Sequence, residues 1–411
     1  MMKNYVIIGG GIASLGCIDG IRKHDKDGKI TLISGEEYLP YARPLISYYL
    51  ENKTTLEKMN YRSEDFYKKN NVEVKRGVKA DKINRNTVSC DDGTEVSFDR
   101  LLAAMGSSPF VPPISGAENV KKQFTFMTIC DTLKVESSIN KKSRVLIVGA
   151  GLIGLKCAEG LADRVKEITV CDLAPKVLSS ILDDECAALV KEKLERCGIN
   201  LMLADTVEKF EDANTAKMKS GKTVEFDVLV MAVGVRPNLG LLKDIGAEIN
   251  RGVVINNKME TSLPGIYAAG DLTEGYDISS ESNKVMAILP NAYMQGFCAG
   301  ENMSGAEAEF DNQIPMNSIG FFGYHMMTAG SYDGELYEEK SADNIKKLYV
   351  KDNRLVGLIF LGNVDKVGIY TSLIRNKTPL DTIDFDRLKI SPSLLAFSKG
   401  YRSKNLGGVS Q

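Results

Sequence analysis

The sequence holds no tryptophan, two histidines and no pair of cysteines closer than the 11 positions between Cys186 and Cys197. Two histidines, His24 and His325, cannot make a metal centre by themselves. Without a C-x-x-C spacing, a zinc site, an iron–sulfur cluster or a short-loop redox disulfide is not expected. The eight cysteines (Cys17, Cys90, Cys130, Cys157, Cys171, Cys186, Cys197 and Cys298) therefore read mostly as buried small hydrophobes. No apolar run approaches the roughly 18 residues needed to span a bilayer. The first strand begins at residue 4, which leaves no room for a signal peptide, so a cytoplasmic protein with no membrane partner is expected. Charge of neither sign prevails: the net charge of −2 gives no global pull toward nucleic acid. The basic end (Lys399, Arg402, Lys404) is a local exception, read as a solvated tail or as a docking patch. Whatever chemistry the chain performs falls to bound organic cofactors.

What the chain does have is one phosphate-binding loop written twice. Tyr5-Val-Ile-Ile-Gly9-Gly10-Gly11-Ile12-Ala13-Ser14 recurs as Val145-Leu-Ile-Val-Gly149-Ala150-Gly151-Leu152-Ile153-Gly154, 140 positions later. Each copy follows a short apolar strand and opens a helix, the context in which G-x-G-x-x-G means dinucleotide binding. The first glycine makes the turn, the second lets the backbone approach a pyrophosphate, and the third position must be small for the helix to pack. The pyrophosphate then sits on the helix N-terminus, where free N–H groups and the dipole favour negative charge. The copies also match outside the loop, with Cys17 over Cys157, Asp19 over Glu159 and Gly20 over Gly160. Two loops predict two dinucleotides, and two held together point to hydride transfer.

Both loops begin β-α-β units. The first predicts strand 4–8, helix 12–23 and strand 30–34, with Glu36 just beyond as the ribose acid; a solvated turn residue is the alternative for Glu36. Short alternating strands are expected over 72–106, and Pro112, Pro113 and Gly116 mark a boundary. The second unit predicts strand 144–148, helix 152–162 and strand 167–171, ending at Asp172. A carboxylate there takes both ribose hydroxyls and repels a 2′-phosphate, which favours NADH over NADPH, although Lys176 lies close. A helix at 183–197 and strands at 199–203, 226–233 and 264–271 follow. From 311 the pattern changes to strands 345–351 and 354–361 and a helix at 365–375, a small α+β domain.

Five ordered motifs now coincide: Gly9–Ser14, Tyr41-Ala-Arg43-Pro44-Leu-Ile-Ser47, Gly149–Gly154, Gly234-Val-Arg-Pro-Asn238 and Tyr267-Ala-Ala-Gly270-Asp271. With the run Pro290-Asn-Ala292-Tyr-Met-Gln295-Gly296, they resemble the FAD-dependent pyridine nucleotide oxidoreductases over about residues 3–330. Within that family the chain is most similar to NADH:rubredoxin or ferredoxin reductases and to the flavin portion of NAD(P)H nitrite reductases. The resemblance implies an α/β fold with two Rossmann-like domains and a small C-terminal α+β domain. An FAD domain (1–115 and 248–311) would be interrupted by an NAD domain (116–247) and followed by a C-terminal interface domain (312–411). It implies that Arg43 clamps the FAD pyrophosphate, with a surface ion pair as the alternative, and that Asp271 bonds a ribityl hydroxyl. Pro44, Val78, Gly106, Gly234 and Gly270 join the cofactor contacts. A homodimer, or a subunit of a larger complex, fits such a C-terminal domain.

Departures from the family pattern matter. Its usual Ala-Thr-Gly is here Ala104-Met105-Gly106, and an aromatic residue before the Pro290 run is Leu289. A lysine near the flavin is replaced by Tyr48 and its partner glutamate by Lys156, so both members of an ion pair have changed together. Lys156 would bring positive charge to the flavin–nicotinamide contact, or else snorkel to solvent. Phe321-Phe322-Gly323-Tyr324-His325 resembles a segment that reaches the flavin edge, with core packing as the alternative. The segment Arg43–Tyr49 contains no cysteine, so a thiol relay is not expected there. Electrons would leave directly from the flavin, to a small iron–sulfur carrier such as rubredoxin, ferredoxin or a ferredoxin-like subunit. A flavin NADH oxidase reducing dioxygen and a redox-regulated interaction protein are the alternatives.

Overall fold

Tyr-Val-Ile-Ile and Val-Leu-Ile-Val, the apolar runs ahead of the two loops, each form the central strand of a parallel sheet. The computed structural model describes residues 2–405, with side chains through Ser403; the side chain of Lys404 lies outside the described residues. The first sheet runs in the order Ile266–Ala268, Arg100–Ala103, Asn4–Ile8, Lys29–Ser34, Val72–Arg76, all parallel. The second runs Ile199–Leu203, Glu167–Asp172, Arg144–Val148, Val228–Met231, Gln123–Thr125, again all parallel. Burial on both faces explains the unbroken apolar runs. Tyr5 and Ile7 join one core with Ile30, Leu32 and Leu102, while Val6 and Ile8 join another with Ile33, Leu101 and Ala103.

The duplication extends past the loops. In each copy a three-stranded antiparallel meander precedes the strand that flanks the central one: 80–97 before Arg100–Ala103, and 207–225 before Val228–Met231. The chain leaves the first sheet after Ala103, builds the second between Gln123 and Met231, and returns at Ile266. Two expected strands are shorter than the sequence pattern suggests. Val228–Met231 stops before Gly234 turns at φ +115, and Ile266–Ala268 stops before Gly270 at φ +88.

The first loop helix, Ile12–His24, lies against a later helix, Leu289–Ser304, which we call the closing helix. Their backbones touch. A Cβ on Gly16 would strike the Tyr293 carbonyl, one on Gly20 the Phe297 carbonyl, one on Gly296 the Ala13 carbonyl and one on Gly300 the Cys17 carbonyl. Four glycines, two from each helix, thus interlock over two turns. The contact is sealed by Cys17, Cys298, Ala299 and Met303 in the shared core.

Two compact units result. One comprises the chain up to Gly275 with Lys284–Phe310, and holds both parallel sheets. The other comprises Tyr276–Asn283 and the chain from Asp311 onward. Its five-stranded antiparallel sheet has the order Met316–Phe321, Tyr324–Gly330, Arg354–Leu361, Ile345–Lys351, Glu335–Lys340. Helix Val367–Arg375 covers it with Val367, Tyr370, Leu373 and Ile374. Phe322 and Gly323 form the two-residue turn of a hairpin, both at positive φ, and Phe321 is buried in strand pairing with Tyr324. The basic end is helical over Lys399–Asn405, with Tyr401 stacked on Phe397 at 4.9 Å. Among the described residues no helix is long and apolar enough to cross a membrane.

The interlocked glycines give a direct test. Gly16→Ala and Gly296→Ala each force a methyl group into a backbone carbonyl and should cost roughly 1–3 kcal/mol or more of unfolding free energy. Urea or thermal unfolding measures this; variants as stable as the parent would mean that the helices do not approach so closely.

Candidate functional site

Each loop opens at a glycine that no other residue could replace. Gly9 sits at φ +115 and Gly149 at φ +117, and a Cβ would strike the carbonyls of Ala104 and Ala232 respectively. The loops are anchored identically, with Gly9 N–H donating to Ile33 O (2.8 Å) and Gly149 N–H to Cys171 O (2.7 Å). Gly154 packs against the Gly149 carbonyl so tightly that a Cβ has no room. Ser14 takes the equivalent place in the first copy, buried, its Oγ donating to Gly11 O at 2.6 Å.

The middle glycines behave oppositely. A Cβ on Gly11 or Gly151 would meet nothing within 4 Å. Each caps its helix without any side-chain hydrogen bond, so Ile12 and Ala13, like Leu152 and Ile153, lie in a helical first turn that no side chain caps. Open space in front of uncapped helical N–H groups is what a pyrophosphate requires. The acids stand at the ends of the neighbouring strands. Asp172 Oδ2 accepts from Ala150 N–H at 2.6 Å and Oδ1 from Ala174 N–H at 2.8 Å, which fixes the carboxylate beside the second loop. Lys176 is drawn toward Asp184 at 2.7 Å. Glu36 accepts from Tyr41 Oη at 2.6 Å and from Arg43 Nη2 at 2.8 Å. Val78, whose N–H donates to Ser34 O at 3.0 Å, closes the turn around Glu36, and Gly77 N–H donates to the Glu36 carbonyl.

Arg43 thus makes the ion pair that was the alternative to a pyrophosphate clamp, yet one N–H on Glu36 leaves four others in its fork. Its charge also reaches Asp271, which stands after Gly270 and is largely enclosed. Burial raises the Asp271 carboxyl above its ordinary value, against the opposing pull of the Ser107 hydroxyl (3.1 Å) and Arg43. Pro44 follows Arg43 in a single 3-10 turn. Gly106, at φ +63 with open space beside it, is held by Asn238, whose N–H donates to Gly106 O (2.9 Å) and Nδ2 to Met105 O (2.9 Å). Gly234 O accepts from Phe110 N–H.

Three further residues support the site without standing out in the sequence. Ser107 reaches Asp271. Asn238 ties the Gly234 motif to Gly106. Gln295 Oε1 accepts from Gly270 N–H (2.7 Å) and Thr273 Oγ1 (3.3 Å), setting the Gly-Asp turn from within the closing helix. Lys156 was expected to carry positive charge to the cofactor contact or to snorkel outward. Instead its ammonium pairs with Glu159 and lies 4.7 Å from the centre of the Tyr48 ring, with side-chain exposures of 13% for Lys156 and 9% for Glu159. That carboxylate offsets the charge. Burial pushes the Cys17 and Cys157 thiols far up, and that of Cys171 to about 12, so none of the three offers a thiolate at neutral pH.

The arrangement fits two dinucleotides, one per loop. Gly11→Ala should leave the fold stable but weaken FAD binding at least tenfold, because the methyl group occupies only the phosphate's space; isothermal titration of the apoprotein checks this, and unchanged affinity would contradict it. Asp271 gives a pH test. Its raised pKa means that the native state holds the proton more tightly than the unfolded state, so apoprotein stability falls as pH rises from about 4. Asp271→Asn should flatten that fall in thermal unfolding while weakening FAD retention.

Comparison with known proteins agrees with the geometry. The family model for pyridine nucleotide-disulphide oxidoreductases matches residues 3–296. The epsilon subunit of an NADH-dependent phenylglyoxylate dehydrogenase of Aromatoleum evansii is 30% identical over 92% of both chains. An NADH oxidase of Methanocaldococcus jannaschii is 34% identical over 74% of this chain and 71% of that one. Among solved structures, the covalent complex of putidaredoxin reductase with putidaredoxin superposes with a TM-score of 0.87 at 23% identity, over 96% of this chain and 97% of that one, a likeness of fold. With both loops built for dinucleotides, the chain belongs to the pyridine nucleotide-disulphide oxidoreductase family and is an FAD-dependent NAD(P)H oxidoreductase.

Proposed function

We propose that the protein takes a hydride from NADH onto FAD and passes the electrons singly to a small iron–sulfur carrier protein or carrier-like subunit. The observation that carries this reading is the segment after Arg43. Pro44, Leu45, Ile46, Ser47, Tyr48 and Tyr49 fill it, and no thiol stands there to receive a pair of electrons. FAD supplies the conversion between a two-electron donor and one-electron acceptors.

The chain's own residues bind and orient. The Gly9 loop, Arg43 and Asp271 would hold FAD, with Glu36 at the ribose. The Gly149 loop would hold the NADH pyrophosphate, with Asp172 on the adenosine ribose and Lys176 engaged by Asp184. Holding donor and acceptor in one geometry supplies most of the rate enhancement such a reaction needs. The subunit status of the phenylglyoxylate dehydrogenase relative, matched over nearly its whole length, supports a protein acceptor. The name of the Methanocaldococcus relative favours a second reading, direct reduction of dioxygen.

Steady-state NADH oxidation separates the two. Turnover should be slow under air and rise at least tenfold when rubredoxin or ferredoxin is added anaerobically; fast aerobic turnover with no gain from a carrier would establish the oxidase reading instead.

A further inference from the structure

The segment that carries Arg43 and Pro44 is fastened to its own half, through Glu36 and the Ala42 N–H bond to Met59 O, and also to helices that belong with the second sheet. Residues 41–50 form a strap of one 3-10 turn (Arg43–Leu45) and one short helix (Ile46–Leu50). At its start, Ile129 N–H, in the first turn of helix Ile129–Ser138, donates to Tyr41 Oη at 3.0 Å. At its end, Arg164 Nη1 donates to Leu50 O at 3.0 Å and to Glu136 Oε1 at 2.9 Å. Between these, the second loop helix, Leu152–Leu161, approaches so closely that a Cβ on Gly160 would lie 3.0 Å from Ser47 O and 3.1 Å from Leu50 Cβ. On the same helix face Lys156 lies over the Tyr48 ring while paired with Glu159. Lys53 stands 5.9 Å from the centre of that ring.

We propose that Lys156 and Tyr48 are positioning residues for hydride transfer: their cation–π contact locks the Arg43–Pro44 strap of the FAD site onto the helix that opens the NADH site. The inference rests on the assignment of the two loops to FAD and NADH. Its physical basis is that Tyr48 lies one helical turn from Pro44, with Ser47 Oγ donating to Pro44 O (3.3 Å). The seat of Tyr48 on the second loop helix therefore acts together with the Glu36 bonds of Tyr41 and Arg43 to set where Arg43 and Pro44 stand relative to the Gly151 turn. Lys156 and Glu159 are largely covered while the Tyr48 ring stays 36% exposed, so the cation meets the ring at a partly open edge and the contact falls between an exposed and a desolvated cation–π pair. Glu159 keeps the ammonium from being a lone enclosed charge. An ångström of misplacement is enough to slow transfer strongly.

The test uses the holoenzyme and reads flavin reduction by NADH in anaerobic stopped flow, with FAD content and the change in the oxidised flavin spectrum on NAD⁺ binding as independent readouts. Tyr48→Ala, and the double variant Lys156→Met/Glu159→Gln that removes both charges together, should retain FAD. Each should reduce about tenfold or more slowly at saturating NADH and show an altered NAD⁺-induced spectrum. Tyr48→Phe, which keeps the ring, and Lys156→Arg, which keeps the cation, should stay within about twofold of the parent. Tyr48→Ala reducing at the parental rate with an unchanged spectrum overturns the proposal, as does Tyr48→Phe falling as far as Tyr48→Ala. Should Tyr48→Ala not fold, Tyr48→Phe and Lys156→Arg still decide, since loss in either contradicts a ring–cation contact. A parent protein whose flavin NADH does not bleach would instead refute the loop assignment.

Discussion

The contact on which the first dinucleotide-loop site depends is bare backbone against bare backbone. Gly16 and Gly20 on the first loop helix, and Gly296 and Gly300 on the closing helix, let two helices that lie some 280 residues apart in sequence touch at their carbonyls. Gly296 rests on the Ala13 carbonyl, and Ala13 is itself a residue of the phosphate loop. One position earlier, Gln295 holds Gly270 N–H and so aims Asp271. The first phosphate loop and the Asp271 carboxylate are therefore set by a single pair of helices. A methyl group on any of the four glycines would separate them.

The second copy of the fold turns the same helix position to a different use. Gly160, which matches Gly20, packs on Ser47 and Leu50 of the strap rather than on a closing helix. Duplication thus yields two helices of the same shape, one docked to complete the first site and the other to hold the first site's strap beside the second. Lys156 and Tyr48 sit in that second seam. A cation–π contact crosses it, and the balancing carboxylate, Glu159, stands on the same helix.

Much of this was legible in the residues. Strand–loop–helix units at 4–24 and 144–161 follow from apolar runs, glycine spacing and the helix they open, and strands 345–351 and 354–361 stand where alternation put them. Asp172 stands out because an acid directly ends a buried strand, and Asp271 stands out only through the resemblance that its Gly-Asp motif carries. Less legible was anything that depends on approach between distant segments. Strand Gln123–Thr125 is too short to show a period, although Thr128 and Asp131 form the capping box of the helix that follows. The glycines of the helix seam look like ordinary helical glycines until the partner helix is in place. Lys156 reads from the sequence as a charge for the cofactor contact or one that snorkels outward, because the ring beside it comes from 108 residues earlier and the Glu159 carboxylate one turn on is marked only as the counterpart of Asp19.

The central claim is that two dinucleotides meet with no thiol between them, so that the protein stores electrons on FAD alone. Anaerobic reductive titration of the purified holoprotein with dithionite measures this directly, with absorbance reporting the flavin. The structure predicts that two electrons per FAD complete the reduction, with no lag before bleaching and no further uptake after it. Consumption of four electrons per FAD would place a redox-active sulfur pair beside the flavin and contradict the account.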